Sequence, residues 1–375
     1  MKKYKIAVVA GDGIGPEVIG ETRKVLSRAG EKFGFALEWR EFPYGARHYL
    51  ATGEILPESA VTEMEKCDAM LLGAIGDPAV KPGILEHGIL LALRFRCDQY
   101  VNLRPAMSMP RVPAPVPLDG RLIDSVVVRE NTEDLYMGIG DITGTGAMDL
   151  PVDTKRGGYN LTGKLSLKTG PALPFAAQIA VCTQPAIERI TRYACNLARQ
   201  RGEDKVTVVS KSNAVSALYG FFEEVAGNVM AREYPEMKYG MVNVDALCYH
   251  LVRNPAGYGV LLCPNLFGDI ISDLQAGLAG GLGTAAAGNI GDGLSMFEPV
   301  HGSAPDIAGT GRANPVAAIL SGALMLDHLG EGAAAVAVRE AVIRFLSAAE
   351  NEELPCEFGG RATFRHVGDS VVLKI

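Results

Sequence analysis

In the stretch "NLFGDIISD", Asp269 and Asp273 stand four residues apart. On a helix that spacing puts both carboxylates on one face. Carboxylate oxygens one turn apart suit a hard divalent cation such as Mg²⁺ or Mn²⁺. The same acids also suit the positive end of a helix dipole or a solvated surface, so spacing alone leaves both readings open. Three arginines stand in mostly apolar company: Arg94 in "LALRF", Arg104 in "VNLRPA" and Arg129 in "VVVRENTE". A guanidinium among apolar neighbours needs an anionic partner, and its planar fork matches a carboxylate bidentately. Three of them suggest a pocket for a di- or tricarboxylate; structural ion pairs are the alternative. Lys211 closes the run "KVTVV" in "SKSNA". Desolvated, or held near a cation, a lysine can serve as a base near neutral pH.

These residues need elements to aim them. Strand-like runs alternate with helix-like segments from the start. "KIAVVA" precedes the amphipathic "EVIGETRKVLSRAG", and "CDAMLLGAIG", "DSVVVRENTE", "KVTVVSKSN" and "GVLLCPNLFGD" are further β runs ending in polar residues. That rhythm predicts an α/β protein with a parallel or mixed sheet covered by helices. Ligands in such folds gather at the carboxyl ends of strands, where the arginines and the lysine stand. Residues 141–174, rich in Gly, Thr, Pro and Lys, read as extended arms or a loop excursion rather than helix.

The 375 residues suggest two domains or one large α/β unit. A hydrophobic share of 48% with 21% charged residues predicts a well-cored protein. The net charge of −7 argues against nucleic acid as the main partner. Seven widely spaced cysteines without a Cys-x-x-Cys pair read as free thiols in a reducing, cytoplasmic setting. No apolar run approaches the roughly 18 residues of a membrane span, so no membrane partner is expected.

"GDGIGPEV", "DQYVNLRP", "VVVRENTEDLY", "KSN", "NLFGDIISDL" and "FEPVHGSAPDIAGTGRANPVAAIL" occur in this order. Together they resemble the isocitrate/isopropylmalate dehydrogenase family of β-decarboxylating dehydrogenases, over nearly the whole chain. The resemblance implies a two-domain α/β fold with a mixed, mainly parallel sheet, distinct from a Rossmann fold, and a cleft between domains. The implied division is 1–99 plus 280–375 for a cofactor-binding domain and 100–279 for a substrate and dimerisation domain, with 141–174 as a clasp arm. It further implies that Arg94, Arg104 and Arg129 hold malate carboxylates. Tyr136 is the implied general acid and Lys211 the implied base, acting across a dimer interface. Asp269 and Asp273 are implied metal ligands, and Asp245, in "VDALCYHLV", a third from the other subunit of a homodimer or of a tetramer.

The resemblance also bears on cofactor and substrate. It places the adenosine end of the cofactor on "HGSAPDIAG", with His301, Gly302, Ser303, Ala304, Asp306 and Ile307, and Asn314 at the adenine edge. Asp306 suits the ribose hydroxyls and repels a 2′-phosphate, which favours NAD over NADP. Gly88 and Leu90 stand where isocitrate enzymes carry Ser and Asn that hold a third carboxylate, so isocitrate is disfavoured; homoisocitrate is a less favoured alternative. Leu90 and Leu91 suit the isopropyl group of 3-isopropylmalate, whose oxidation belongs to leucine biosynthesis. D-malate or tartrate is the alternative substrate, and His87 a candidate polar contact. A catalytically silent regulatory subunit and a simple nucleotide-binding module are the rival classes.

The N-terminal "GDGIGP" looks like a dinucleotide turn, but its third glycine comes one place early for G-x-G-x-x-G. Pro16 suits the first turn of a helix. The turn is expected beside the nicotinamide and substrate, with Ile14 the contact.

Overall fold

Successive residues of the first strand, Ile6, Ala7, Val8 and Val9, are all fully buried, and they alternate between two apolar clusters. A strand covered on both faces belongs in a parallel sheet flanked by helices. The computed structural model describes every residue except 157 and 158, and the backbone alone of Arg156. In chain order the described strands are β1 (Lys2–Gly11), β2 (Phe35–Glu41), β3 (Ala69–Ala74), β4 (Val101–Met107) and β5 (Asp124–Glu130). Then come β6 (Gly140–Thr143), β7 (Ala147–Arg156), β8 (Tyr159–Lys168), β9 (Phe175–Gln178) and β10 (Lys205–Ser210). The last are β11 (Lys238–Asn243), β12 (Val260–Cys263), β13 (Ala286–Ile290) and β14 (Met296–Pro299).

The chain forms two units: Met1–Val126, His250–Gly257 and Ser272–Ile375 in the first, Val127–Tyr249 and Tyr258–Ile271 in the second. Strands of the first run in the order β4-β13-β14-β3-β1-β2. All point one way except β13, which is antiparallel to both β4 and β14. β4 pairs with β13 through Leu103 and Gly288, within the first unit. One face of this sheet (Ile6, Val8, Leu71, Phe297) packs under Val25 and Leu26 of the helix Gly15–Phe33 and Ile319 and Ala323 of the helix Val316–His328. The other face (Ala7, Val9, Met70, Leu72) is covered by Met64, Leu85, Ile89 and Leu93. The helix after "GDGIGP" opens with Pro16 in its first turn and ends at Gly34, whose φ of 84° supplies a left-handed cap.

In the second unit the order is β11-β10-β12-β5, with β10 parallel to both neighbours. Helices Gln184–Arg201 and Phe221–Glu233 pack on β10. The segment 141–174 is extended, as its composition predicts: β7 and β8 pair antiparallel over ten residues each, and β6 pairs with β9. Residues 157 and 158 of that arm lie outside the described residues. All seven cysteines are free thiols. Among the described residues no helix is long and apolar enough to cross a membrane.

Candidate active site

Arg129 is the penultimate residue of β5, its side chain 1% exposed. Its Nε donates to Asn265 O at 2.9 Å and Oδ1 at 3.0 Å, and a terminal nitrogen meets Asp269 Oδ1 at 2.6 Å. The other oxygen of Asp269, Oδ2, accepts from the Tyr136 hydroxyl at 2.6 Å. The guanidinium also lies 4.9 Å from the centre of the Tyr136 ring. Glycine is required at 268, where a β-carbon would fall 2.5 Å from Arg129 Cγ. Sequence separation hides this cluster, yet it brings together the predicted carboxylate binder, general acid and metal ligand.

Asp134, two residues before Tyr136, escaped the sequence reading. Its backbone is in a strained region, with φ 63°. Its Oδ2 caps Leu266 N–H at 3.0 Å, at the start of the helix Asn265–Ala279, and its Oδ1 takes the Tyr219 hydroxyl at 3.3 Å. An Asp two residues before a tyrosine was the available signal. Deeper still, Glu130 accepts from Thr132 N–H, the Thr132 hydroxyl and Glu133 N–H. Burial, and then the charge of Glu133, push its carboxyl up to about 7.

Asp269 and Asp273 lie one turn apart on the helix Asn265–Ala279, as their spacing predicts. Lys211 follows β10 directly, and Asp245 sits in the first turn of the helix Val244–Arg253 after β11. β10 and β11 are parallel and paired up to Ser210 and Asn243, so their ends emerge side by side. Lys211 Nζ meets Asp245 Oδ1 at 2.7 Å. That bond holds the Asp245 carboxyl below the usual range. Among the described residues no three His, Cys, Asp or Glu side chains of one chain converge on a common point.

In the first unit Arg104 binds Ser272 Oγ at 2.8 Å and Asp273 Oδ1 at 3.0 Å. Arg94, 4% exposed, meets Glu298 Oε1 at 3.0 Å. Glu298 is held in turn by Asn289 Nδ2 at 2.8 Å, and Asn289 Oδ1 by Asn102 at 2.9 Å. Among the described residues, Arg94 Nε is buried with no partner, a donor still to be satisfied. Each predicted arginine therefore has an acid, and two of the three acids are the predicted metal ligands. Just before Arg94, His87, Leu90 and Leu91 ride on a π-helical turn, Glu86–Leu91, which periodicity did not reveal. Leu90 and Leu91 are half-buried, and a β-carbon on Gly88 would strike Ile55 Cγ2 at 2.6 Å.

The "GDGIGP" turn packs on the "HGSAPDIAG" loop. Ile14 N–H donates to Ser303 O at 2.8 Å. A β-carbon at Gly13 would sit 1.9 Å from that same oxygen. The Ile14 side chain is buried against Ala304 and Ile307. His301 Nδ1 contacts Gly302 O, while its Nε2 is buried without a partner among the described residues. Burial lowers its pKa. Gly302 has open space where a side chain would be, and Asp306 is exposed. An orphaned ring nitrogen, a bare glycine and an exposed acid fit the ribose and base of a nucleotide. The hard carboxylates of Asp269, Asp273 and Asp245 fit a divalent cation.

The family model described as isocitrate/isopropylmalate dehydrogenase matches residues 5–368. A 3-isopropylmalate dehydrogenase of Thermobifida fusca is 42% identical over 381 residues, covering 100% of this chain and 98% of that one. Another from Streptomyces coelicolor is 42% identical over 377 residues, covering 100% and 99%. The crystal structure of isocitrate dehydrogenase from Methylococcus capsulatus superposes with a TM-score of 0.83 at 32% identity, covering 99% of both chains. Fold and matches define a decarboxylating dehydrogenase, an oxidoreductase. The chain belongs to the isocitrate/isopropylmalate dehydrogenase family.

Proposed function

We propose that this enzyme carries out the NAD- and divalent-metal-dependent oxidative decarboxylation of a (2R)-malate-type 2-hydroxy acid, with 3-isopropylmalate as substrate, in the cytoplasm. The observation that carries the reading is Asp269, whose two oxygens serve Arg129 and Tyr136. The relatives named 3-isopropylmalate dehydrogenase support the substrate.

When bound, the cation supplies Lewis acidity and NAD accepts a hydride. The chain's residues do the rest. Arg94, Arg104 and Arg129 hold the substrate carboxylates through guanidinium hydrogen bonds. Lys211 removes the C2 hydroxyl proton, and Tyr136 delivers a proton to carbon after CO₂ leaves. Leu90 and Leu91 exclude water around the isopropyl group. His301, Gly302, Ser303, Ala304, Asp306, Ile307 and Asn314 seat the adenosine end of NAD, and Ile14 borders the nicotinamide end. Asp269 and Asp273 hold the metal together with Asp245 of a second copy, in a homodimer whose active sites are shared.

The test is kcat/KM for 3-isopropylmalate, D-malate, tartrate, isocitrate and homoisocitrate with NAD⁺ and Mn²⁺. The expected result is a preference of at least about tenfold for 3-isopropylmalate, the worth of its apolar substituent in an apolar pocket. A preference for D-malate or tartrate moves the substrate within the family. A preference for isocitrate overturns the pocket argument, and no turnover with any of them overturns the enzyme reading.

A further inference from the structure

Asn314, proposed to meet the adenine edge, has both ends of its amide engaged by protein. Oδ1 accepts from Val316 N–H at 3.2 Å. Nδ2 donates to Glu357 Oε2 at 2.9 Å, across 43 residues of sequence. The second oxygen of Glu357, Oε1, accepts from Gly283 N–H at 3.1 Å. Glu357 reaches this place from the short 3-10 turn Cys356–Phe358. The surrounding space admits nothing larger than hydrogen. A β-carbon at Gly283 would lie 1.7 Å from Glu357 Oε2 and 2.6 Å from Asn314 Nδ2, and one at Gly281 would lie 2.7 Å from Oε1. The same carboxylate bears on His301, where it opposes the lowering that burial imposes.

The two ends of an asparagine amide are alike in shape and opposite in polarity. Packing alone does not distinguish them. A carboxylate only accepts and a backbone N–H only donates, so Glu357 and Val316 together permit one orientation. One Nδ2 hydrogen remains to be given away. The ring nitrogens of a purine are acceptors: a locked donor satisfies one, whereas a flipped amide opposes it with oxygen.

We propose that Glu357 is a positioning residue for cofactor recognition, holding the Asn314 amide so that the adenine of NAD meets a donor. The inference rests on the NAD reading above. It adds a residue from outside the glycine-rich loop and the motif that contains Asn314.

The test is titration calorimetry with ADP-ribose, which carries the adenosine end without nicotinamide, on the wild type, Glu357→Gln, Asn314→Ala and the double variant. Glutamine replaces one acceptor by a donor, so either the Asn314 amide turns or the Gly283 bond breaks. Glu357→Gln should weaken ADP-ribose binding about tenfold, the worth of one hydrogen bond to a charged group. In the Asn314→Ala background it should add less than about twofold, because the two act as one unit. In turnover, KM for NAD rises while kcat and the KM for hydroxy acid hold. Glu357→Asp, which keeps two acceptors, should bind ADP-ribose more tightly than Glu357→Gln. Glu357→Ala, which leaves the Asn314 amide unheld, should show a similar loss of about tenfold from wild type and serves if the glutamine variant does not fold. Wild-type affinity in folded Glu357→Gln and Glu357→Ala proteins alike overturns the inference. So does a tenfold loss that persists without Asn314. A wild type that binds neither ADP-ribose nor NAD overturns the cofactor reading and this inference with it.

Discussion

Lys211 Nζ lies 2.7 Å from Asp245 Oδ1, and the two side chains issue from the ends of neighbouring parallel strands. The proposed base and third metal ligand thus travel as a pair, while Tyr136 is tied to Asp269. If each active site draws these pairs from different subunits, Lys211→Ala and Tyr136→Phe lie in different halves of it. Each variant alone should lose about a hundredfold or more in kcat. Unfolded together and refolded, they should regain roughly a quarter of wild-type activity, since half the dimers carry one intact site. No recovery in a confirmed heterodimer refutes the shared site.

Arg129 directs two of its nitrogens to different partners. Nε reaches Asn265 and a terminal nitrogen reaches Asp269, with the side chain almost wholly buried. Lysine cannot reproduce two directions at once. Arg129→Lys should lower kcat/KM by about a hundredfold and destabilise the fold by about 1–3 kcal/mol, the cost of leaving the Asn265 acceptors unsatisfied in a buried site. Steady-state kinetics and denaturant melts read the two effects separately.

Metal removal should act through the carboxylates alone. After chelation and dialysis, turnover should vanish and return with Mn²⁺ or Mg²⁺. Asp269→Asn should weaken Mn²⁺ binding at least about tenfold in calorimetry while the protein stays folded. Unchanged turnover after exhaustive chelation would remove the metal from the mechanism.

Gly88 faces Ile55 too closely for a side chain. Gly88→Ser should cost about 1–3 kcal/mol of stability by overpacking. Adding Ile55→Ala should recover part of that loss, because the two positions share one space. Thermal melts of the four proteins give the coupling directly.

Stability should also fall as pH rises between about 4.5 and 7. Glu130 has its folded pKa raised to about 7, first by burial and then by Glu133. Between its unfolded and folded pKa values the native state binds more protons than the unfolded chain, so ΔG of unfolding decreases with pH there. Its contribution is fully favourable only below the unfolded pKa. Glu130→Gln should flatten this part of the Tm profile; a profile as steep as the wild type's places the titration elsewhere.

Local signals were legible where local physics decides. The β-branched run before "GDGIGP", Pro16 at the helix start, and Asp269 with Asp273 one turn apart all took the predicted form. The extended arm was readable from composition, but its register was not. Partnerships between distant residues were hidden: Arg94 meets Glu298 across 204 residues, and Glu357 meets Asn314 from beyond the motif. A one-dimensional pattern carries no distance between such positions. The π-helical turn under Leu90 and Leu91 also escaped, because apolar spacing does not separate it from an ordinary helix.

β13 and β14, residues 286–299, sit between β4 and β3, both formed from the first 107 residues. A chain emerging from the ribosome therefore makes the two flanks long before it makes the strands that join them. Until residue 299 is available, β3 and β4 keep open hydrogen-bonding edges on an apolar sheet. Such sequence-distant closure is slow and leaves nascent chains open to mispairing. Products halted before β14 should be ready chaperone clients and aggregate when released, whereas the finished enzyme does not.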